Sequence, residues 1–155
     1  MNNINIIPFR TEYSKDFYAL NIEWLKHYFY VEPYDEDVLS NPDKYIISKG
    51  GYIYFVQIDT KIIGTVALMP TKTNNVFELT KMAVSPNYRG LRIGQQLLDY
   101  SINFSKSKKW DKLILYSSRK LENAIHIYRK NSFIEIPVEK NCPYKRCDIK
   151  MELAF

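Results

Sequence analysis

An α+β fold, a single mixed sheet flanked by helices in one domain spanning residues 1–155, is what this sequence predicts. Three observations carry that expectation. The chain has 155 residues, 46% hydrophobic and 25% charged, which is the size and balance of one domain with a buried core. Runs rich in β-branched and aromatic residues are interspersed with segments of helical period. The two kinds of segment do not alternate regularly, so a purely parallel, doubly wound sheet is not expected.

The elements follow in order. "INIIPFR" reads as a short first strand. Ser14 stands where it would cap a helix through "KDFYALNIEWLKHYFY", with Phe17, Leu20, Trp24 and Phe29 on one side. "EPYDEDVLSNPDKYII" is a turn-rich link with room for one short helix. "GYIYFVQI" and "KIIGTVALM" flank "DT" and read as a hairpin. "NNVFELTKMAV" is a further strand. Ile93, Leu97, Leu98 and Ile102 then recur at helical spacing. "SKSKKWDK" closes that helix, where cations favour the negative end of the dipole. "KLILYSS" is a buried strand, and "ENAIHIYRKN" a helix with Leu121, Ala124, Ile125 and Tyr128 on one face. "FIEIPV" and "YKRCDIKMELAF" end the chain as two strands.

The strand "NNVFELTKMAV" breaks phase. Phe77 and Leu79 are apolar at odd positions, Met82 and Val84 at even ones. A strict two-residue period cannot put both pairs on one face. Either one inserted residue near Thr80–Lys81 restores the phase as a β-bulge, or the strand is buried on both faces.

Composition excludes several classes. No apolar run approaches the roughly 18 residues of a membrane span, and the N-terminus does not read as a signal peptide. Cys142 and Cys147, without nearby histidine, fit neither a zinc site nor a disulfide scaffold, so no metal is expected. A reducing cytoplasm is the expected setting. The net charge of +5 suits an anionic ligand, but the lysines are scattered and form no stripe for nucleic acid. His27 and His126 lack catalytic partners nearby in sequence and read as structural or exposed.

The segment "VSPNYRGLRIGQQLL" leads from a strand through Arg89, Gly90 and Arg92 to Gly94 at the start of a helix. Unpaired amides in a first helical turn, together with the dipole, form an anion site. Glycine permits close backbone approach. By local pattern alone the loop is equally a plain helix start. It matches neither a Walker loop nor the three-glycine dinucleotide fingerprint.

That segment resembles the acetyl-CoA-binding signature of the GNAT superfamily of N-acetyltransferases, Gln/Arg-x-x-Gly-x-Gly/Ala. Arg89 stands at the first position, Gly94 at the last, and Arg92 where the middle glycine normally stands. "AIHIYRKNSF" resembles the family's later Ala-x-x-x-Tyr-x-x-x-Gly-Phe, with Ser132 in the glycine position. Leu121 falls where many members carry Asn, and Glu78 lies six residues before Val84, where many members carry a Glu. The likeness covers residues 51–133 well and the last strands plausibly.

The resemblance implies a twisted mixed sheet splayed between strands 4 and 5, with a bulge in strand 4. It implies that Met82, Ala83 and Val84 line the pantetheine arm of acetyl-CoA. The pyrophosphate would rest on Arg89, Gly90, Leu91, Arg92, Ile93, Gly94 and Gln95, with Asn123 a further cofactor contact. Acetyl would pass directly to an amine in a ternary complex. The amine must lose a proton, since a free alkylammonium has a pKa near 10.4; Glu78 is the candidate base. A backbone N–H near Val84 would polarise the carbonyl, and Tyr128 matches the family's acid for the departing thiolate. Partners would be a small-molecule or peptide amine, with no nucleic acid and no membrane, and the chain a monomer or homodimer.

Acceptor choice is expected from the first helix, from the acidic run Glu32, Asp35, Glu36 and Asp37, and from Tyr144 and Arg146. The acids either line the mouth and attract a cationic amine or are a solvated helix start. Two rival readings stand beside the enzyme: a non-catalytic acyl-CoA-binding or regulatory domain of the same fold, and a basic nucleic-acid module with steep salt dependence.

Overall fold

The computed structural model describes residues 3–142 and 144–155. Among them seven strands form one sheet in the order β1-β2-β3-β4-β5-β7-β6. The strands are β1 (Ile4–Pro8), β2 (Tyr52–Ile58), β3 (Lys61–Pro70), β4 (Val76–Val84), β5 (Lys112–Ser117), β6 (Ile134–Ile136) and β7 (Ile149–Ala154). Every neighbouring pair is antiparallel except β4 with β5. The helices are α1 (Ser14–Tyr28), α2 (Pro33–Ser40), α3 (Pro42–Tyr45), α4 (Ile93–Ser107) and α5 (Glu122–Lys130).

Helices cover both faces of the sheet, and β2 shows why its sequence is apolar throughout. Ile53 and Phe55 pack with Phe17, Leu25, Val38 and Leu39 of α1 and α2. Tyr54, Val56 and Ile58 pack with Ile93, Leu97 and Leu98 of α4. Successive side chains of a strand point to opposite faces, so a strand between two helical layers loses its polar alternation. Gly64 on β3 lets α4 sit close: a Cβ there would lie 3.2 Å from Ile93 Cγ2.

Several elements differ from expectation. Ser14 opens α1 without a side-chain cap. The buried stripe of α1 is Phe17, Asn21 and Leu25. Asn21 is tolerated inside because its amide donates to the Phe17 carbonyl at 3.0 Å, a bond hydropathy does not reveal. The acidic link folds into two short helices, α2 and α3, each with a proline in its first turn. The last strand begins at Ile149, so Tyr144 and Arg146 lie in the loop before it.

Candidate active site

The cleft comes from an interrupted ladder. β4 pairs with β5 only from Val76↔Lys112 to Glu78↔Ile114. Beyond that point β5 follows β7 to Ser117↔Ile149, while β4 follows β3 to Val84↔Gly64. The strands therefore splay, as the resemblance implied, and the edge of β4 from Leu79 to Val84 is unpaired on the β5 side. A cleft of about 860 Å³ fills the gap.

The bulge is present. Across β3, Thr65 faces Ala83 but Ala67 faces Thr80, so β4 spends three steps where β3 spends two. Lys81 takes up the excess at φ 55°. Phe77 and Leu79 before it, and Met82 and Val84 after it, all pack on the same cluster. That outcome decides between the two readings of the phase break.

The anion cradle lies at the start of α4. Gly90 has φ 93° and Arg92, the helix N-cap, φ 58° with no side-chain cap. Gln96 N to Arg92 O, at 3.0 Å, is the first helical bond; the amides of Ile93, Gly94 and Gln95 find no acceptor among the described residues. A Cβ on Gly94 would meet nothing within 4 Å, so this glycine leaves a backbone surface open to the cleft. Arg92 keeps the left-handed backbone of the glycine it stands for, as does Ser132 at φ 75°. Arg89 leans away, its Nη2 donating to Glu23 Oε1 of α1 at 3.1 Å.

The opposite wall is α5. Its apolar stripe is amphipathic in sequence, yet none of its residues is fully buried. Ala124, Ile127, Tyr128 and Asn131 instead face the cleft. Burial alone pushes the Tyr128 hydroxyl up to about 12, so it keeps its proton throughout the neutral range.

The far end of the cleft is a charge cluster. Arg146 forks onto Asp35, Nη1 to Oδ2 at 2.8 Å and Nη2 to Oδ1 at 2.9 Å. Its Nη1 also donates to Glu32 Oε2 at 2.8 Å. Asp35 and Glu32 form the capping box of α2. Burial raises the Asp35 carboxyl, but bonds from Arg146 and from the Glu32 amide outweigh it and hold the group below its ordinary value. Lys81 Nζ donates to the Tyr144 hydroxyl and lies 3.6 Å from Asp35 Oδ1. Burial pushes Lys81 down to about 8, opposed by the charges of Asp35 and Glu78. Burial likewise raises Glu78, against the charge of Lys81 and a hydrogen bond from Thr80.

Of the residues expected at the site, Met82, Ala83, Val84, Arg89, Gly90, Arg92, Ile93, Gly94, Gln95 and Tyr128 line the cleft. Leu91 is half-exposed and outside the lining. Asn123 is exposed, and neither it nor Glu78 is among the residues that line the cleft. Of the acidic run Asp35 lines the cleft, held by Arg146; Glu32 is buried on the same arginine, and Glu36 accepts from Tyr18 and Ser40. Lys81 was passed over because one lysine in a strand reads as a solvated side chain; the phase break at its position was the signal. Asn131 was also missed. It lines the cleft while its amide donates to the Ile127 carbonyl at 2.8 Å.

Among the described residues no helix is long and apolar enough to cross a membrane, and no three His, Cys, Asp or Glu side chains gather as a metal site.

Comparison with known proteins agrees with this geometry. The probable N-acetyltransferase camello of Xenopus tropicalis is 28% identical over 105 residues, 67% of this chain and 48% of that protein. The chain thus spans about half the length of that relative. An acetyltransferase of the GNAT family from Staphylococcus aureus Mu50 superposes with a TM-score of 0.86 at 25% identity, over 98% of this chain and 99% of that one. PaiA N-acetyltransferase from Thermoplasma acidophilum, solved with coenzyme A, gives 0.76 at 20% identity over 99% of each chain. The family model "Acetyltransferase (GNAT) family" matches residues 8–133, and with the split sheet, the bulge and the open first turn of α4 this chain belongs to that family of acyltransferases.

Proposed function

We propose that the chain transfers acetyl from acetyl-CoA directly to a primary amine, on a small molecule or a peptide, within a ternary complex. The observation that carries this reading is the coincidence of three things in one cleft: an unpaired strand edge, a helix start with free amides, and a protonated tyrosine between them.

The residues fit coenzyme A. Free amides of Ile93, Gly94 and Gln95 and the charge of Arg92 suit a diphosphate. The open edge of β4 from Met82 to Val84 suits the amides of an extended pantetheine arm. When bound, the co-substrate supplies an activated acyl thioester. A backbone N–H beside the bulge then polarises the carbonyl oxygen. The Tyr128 hydroxyl offers its proton to sulfur as negative charge builds there. A thiol has a pKa of about 8.5, below that of Tyr128, so the tyrosine acts first as a hydrogen-bond donor. Glu78, whose charge acts on Lys81 at the same end of the cleft, takes the acceptor's proton through water, and its raised affinity for protons suits that task.

Titration calorimetry with acetyl-CoA tests the reading. Gly94→Glu places a carboxylate in the cradle without a clash inside the protein. Micromolar binding by the wild type, lost in a folded variant, supports the site. No binding by the wild type overturns it. Binding without turnover over a broad amine panel would favour the non-catalytic alternative.

A further inference from the structure

We propose that the acceptor end of the cleft takes an amine that also carries a carboxylate, and that Lys81 grips that carboxylate; this rests on the acetyltransferase reading above.

Lys81 is an expensive residue in its position. Its backbone is left-handed at φ 55°, which strains a residue with a Cβ. Its side chain is only 5% exposed, and burial of an ammonium is costly unless it is paired. The bulge nevertheless aims it into the cleft. The ion pair with Asp35 accounts for only part of this. Asp35 is already satisfied without it, since Oδ1 accepts from Arg146 and Oδ2 accepts from Arg146 and from the Glu32 amide. Lys81 therefore holds Asp35 only at 3.6 Å, beyond hydrogen-bond length.

An ammonium has three donors. Tyr144 accepts one from Lys81, and the rings of Tyr144 and Tyr34, at 4.4 and 5.9 Å, sit beside the charge. The remaining donors have no acceptor within hydrogen-bond distance among the described residues. The carboxylates nearby are committed or withdrawn. Glu32 and Asp35 belong to Arg146, Glu139 pairs with Lys150 at 3.0 Å, and Glu78, whose charge reaches Lys81, takes no hydrogen bond from it. The charges of Glu32, Asp35, Arg146 and Lys81 cancel, and burial favours the neutral form of Glu78. What faces the incoming acceptor is an ammonium with free donors between aromatic rings. A carboxylate on the acceptor satisfies those donors; a second ammonium would be set against Lys81.

The test uses the full chain, saturating acetyl-CoA and matched acceptors: leucine, leucinamide and isoamylamine, the same set built on phenylalanine and on glutamate, and spermidine. Release of free thiol reads kcat and KM. A charge-assisted pair of this kind predicts about tenfold or more in kcat/KM for the carboxylate over its amide, expressed in KM. Lys81→Met removes that preference, Lys81→Arg keeps part of it, and Lys81→Gln serves if the methionine variant does not fold. Equal or better turnover of the amides, the plain amines or spermidine overturns the inference and leaves the acetyltransferase reading standing. So does a preference for carboxylates that survives in Lys81→Met. Failure of acetyl-CoA to bind in parallel calorimetry overturns both.

Discussion

Arg146 and Asp35, 111 positions apart, meet through two parallel hydrogen bonds of 2.8 and 2.9 Å. The pair ties the loop before β7 to the first turn of α2, so the two walls of the acceptor end are fixed to each other. Arg146→Met leaves Asp35 with the Glu32 amide and Lys81 at 3.6 Å, and Glu32 with the Lys145 amide, but neither with its guanidinium. Loss of one partner of a buried pair costs about 3–5 kcal/mol, and urea denaturation should show it. Asp35 also sets an acid limit. Its folded pKa lies below the ordinary 3.8, so its stabilising effect is complete above that value and is lost as pH falls through the folded value. Asp35→Asn should flatten the acid limb of the stability profile.

Lys81 gives a slope of the same sign in a higher window. Its folded pKa of about 8 lies below the ordinary 10.5. The unfolded chain therefore binds this proton more tightly between those values, and the cost of burying the charge is relieved as pH rises from 8 to 10.5. Denaturant midpoints of wild type and Lys81→Met across that window should converge toward high pH. A carboxylate grip at Lys81 runs the other way: acceptor KM, expressed per neutral amine, should rise above pH 8.

Tyr128→Phe keeps the ring that packs near Phe133, 5.8 Å between centroids, and removes only the hydroxyl. A lost proton donor costs about 100-fold or more in kcat. The Kd for acetyl-CoA should not change. Stopped-flow thiol release and calorimetry separate the two.

Arg92→Gly restores the residue that a left-handed N-cap favours. Relief of the φ of 58° should stabilise the fold by about 1 kcal/mol. The lost charge should weaken coenzyme A binding several-fold and reduce its salt dependence. A melt and a calorimetric titration at two salt concentrations check both.

Gly51→Ala should disrupt packing beside the first residue of β2. The added Cβ would lie 2.8 Å from both Cγ2 and O of Ile46 and 2.9 Å from the Leu68 carbonyl. Backbone must move, and overpacking of this kind costs about 1–3 kcal/mol. Chemical denaturation measures it.

What was legible in the sequence had a local cause. The phase break between Leu79 and Met82 narrowed β4 to a bulge or a strand buried on both faces, because strand period is a nearest-neighbour property. Ile93, Leu97 and Leu98 revealed the face of α4 for the same reason. The hairpin at Asp59–Thr60 was marked by its turn. The Arg146–Glu32–Asp35 cluster was not legible, because pairing over such separations depends on which loops the sheet brings together. The acids were visible, but their burial was not. Asn123 and Asn131 show the same limit on one helix: both are polar on α5, and only the packed structure tells which one faces the cleft.

The half-covered stripe of α5 has a consequence for the lifetime of the protein. A wall whose apolar side chains pack on the core on one side and face the cleft on the other completes its packing only when something occupies the cleft. Any ligand that fills it stabilises the folded chain by RT ln(1 + [L]/Kd). Amide hydrogens of α5 should therefore exchange fastest in the empty protein and slow most on loading. In a proteolytic environment, persistence of the chain would then follow the supply of the molecule that completes it.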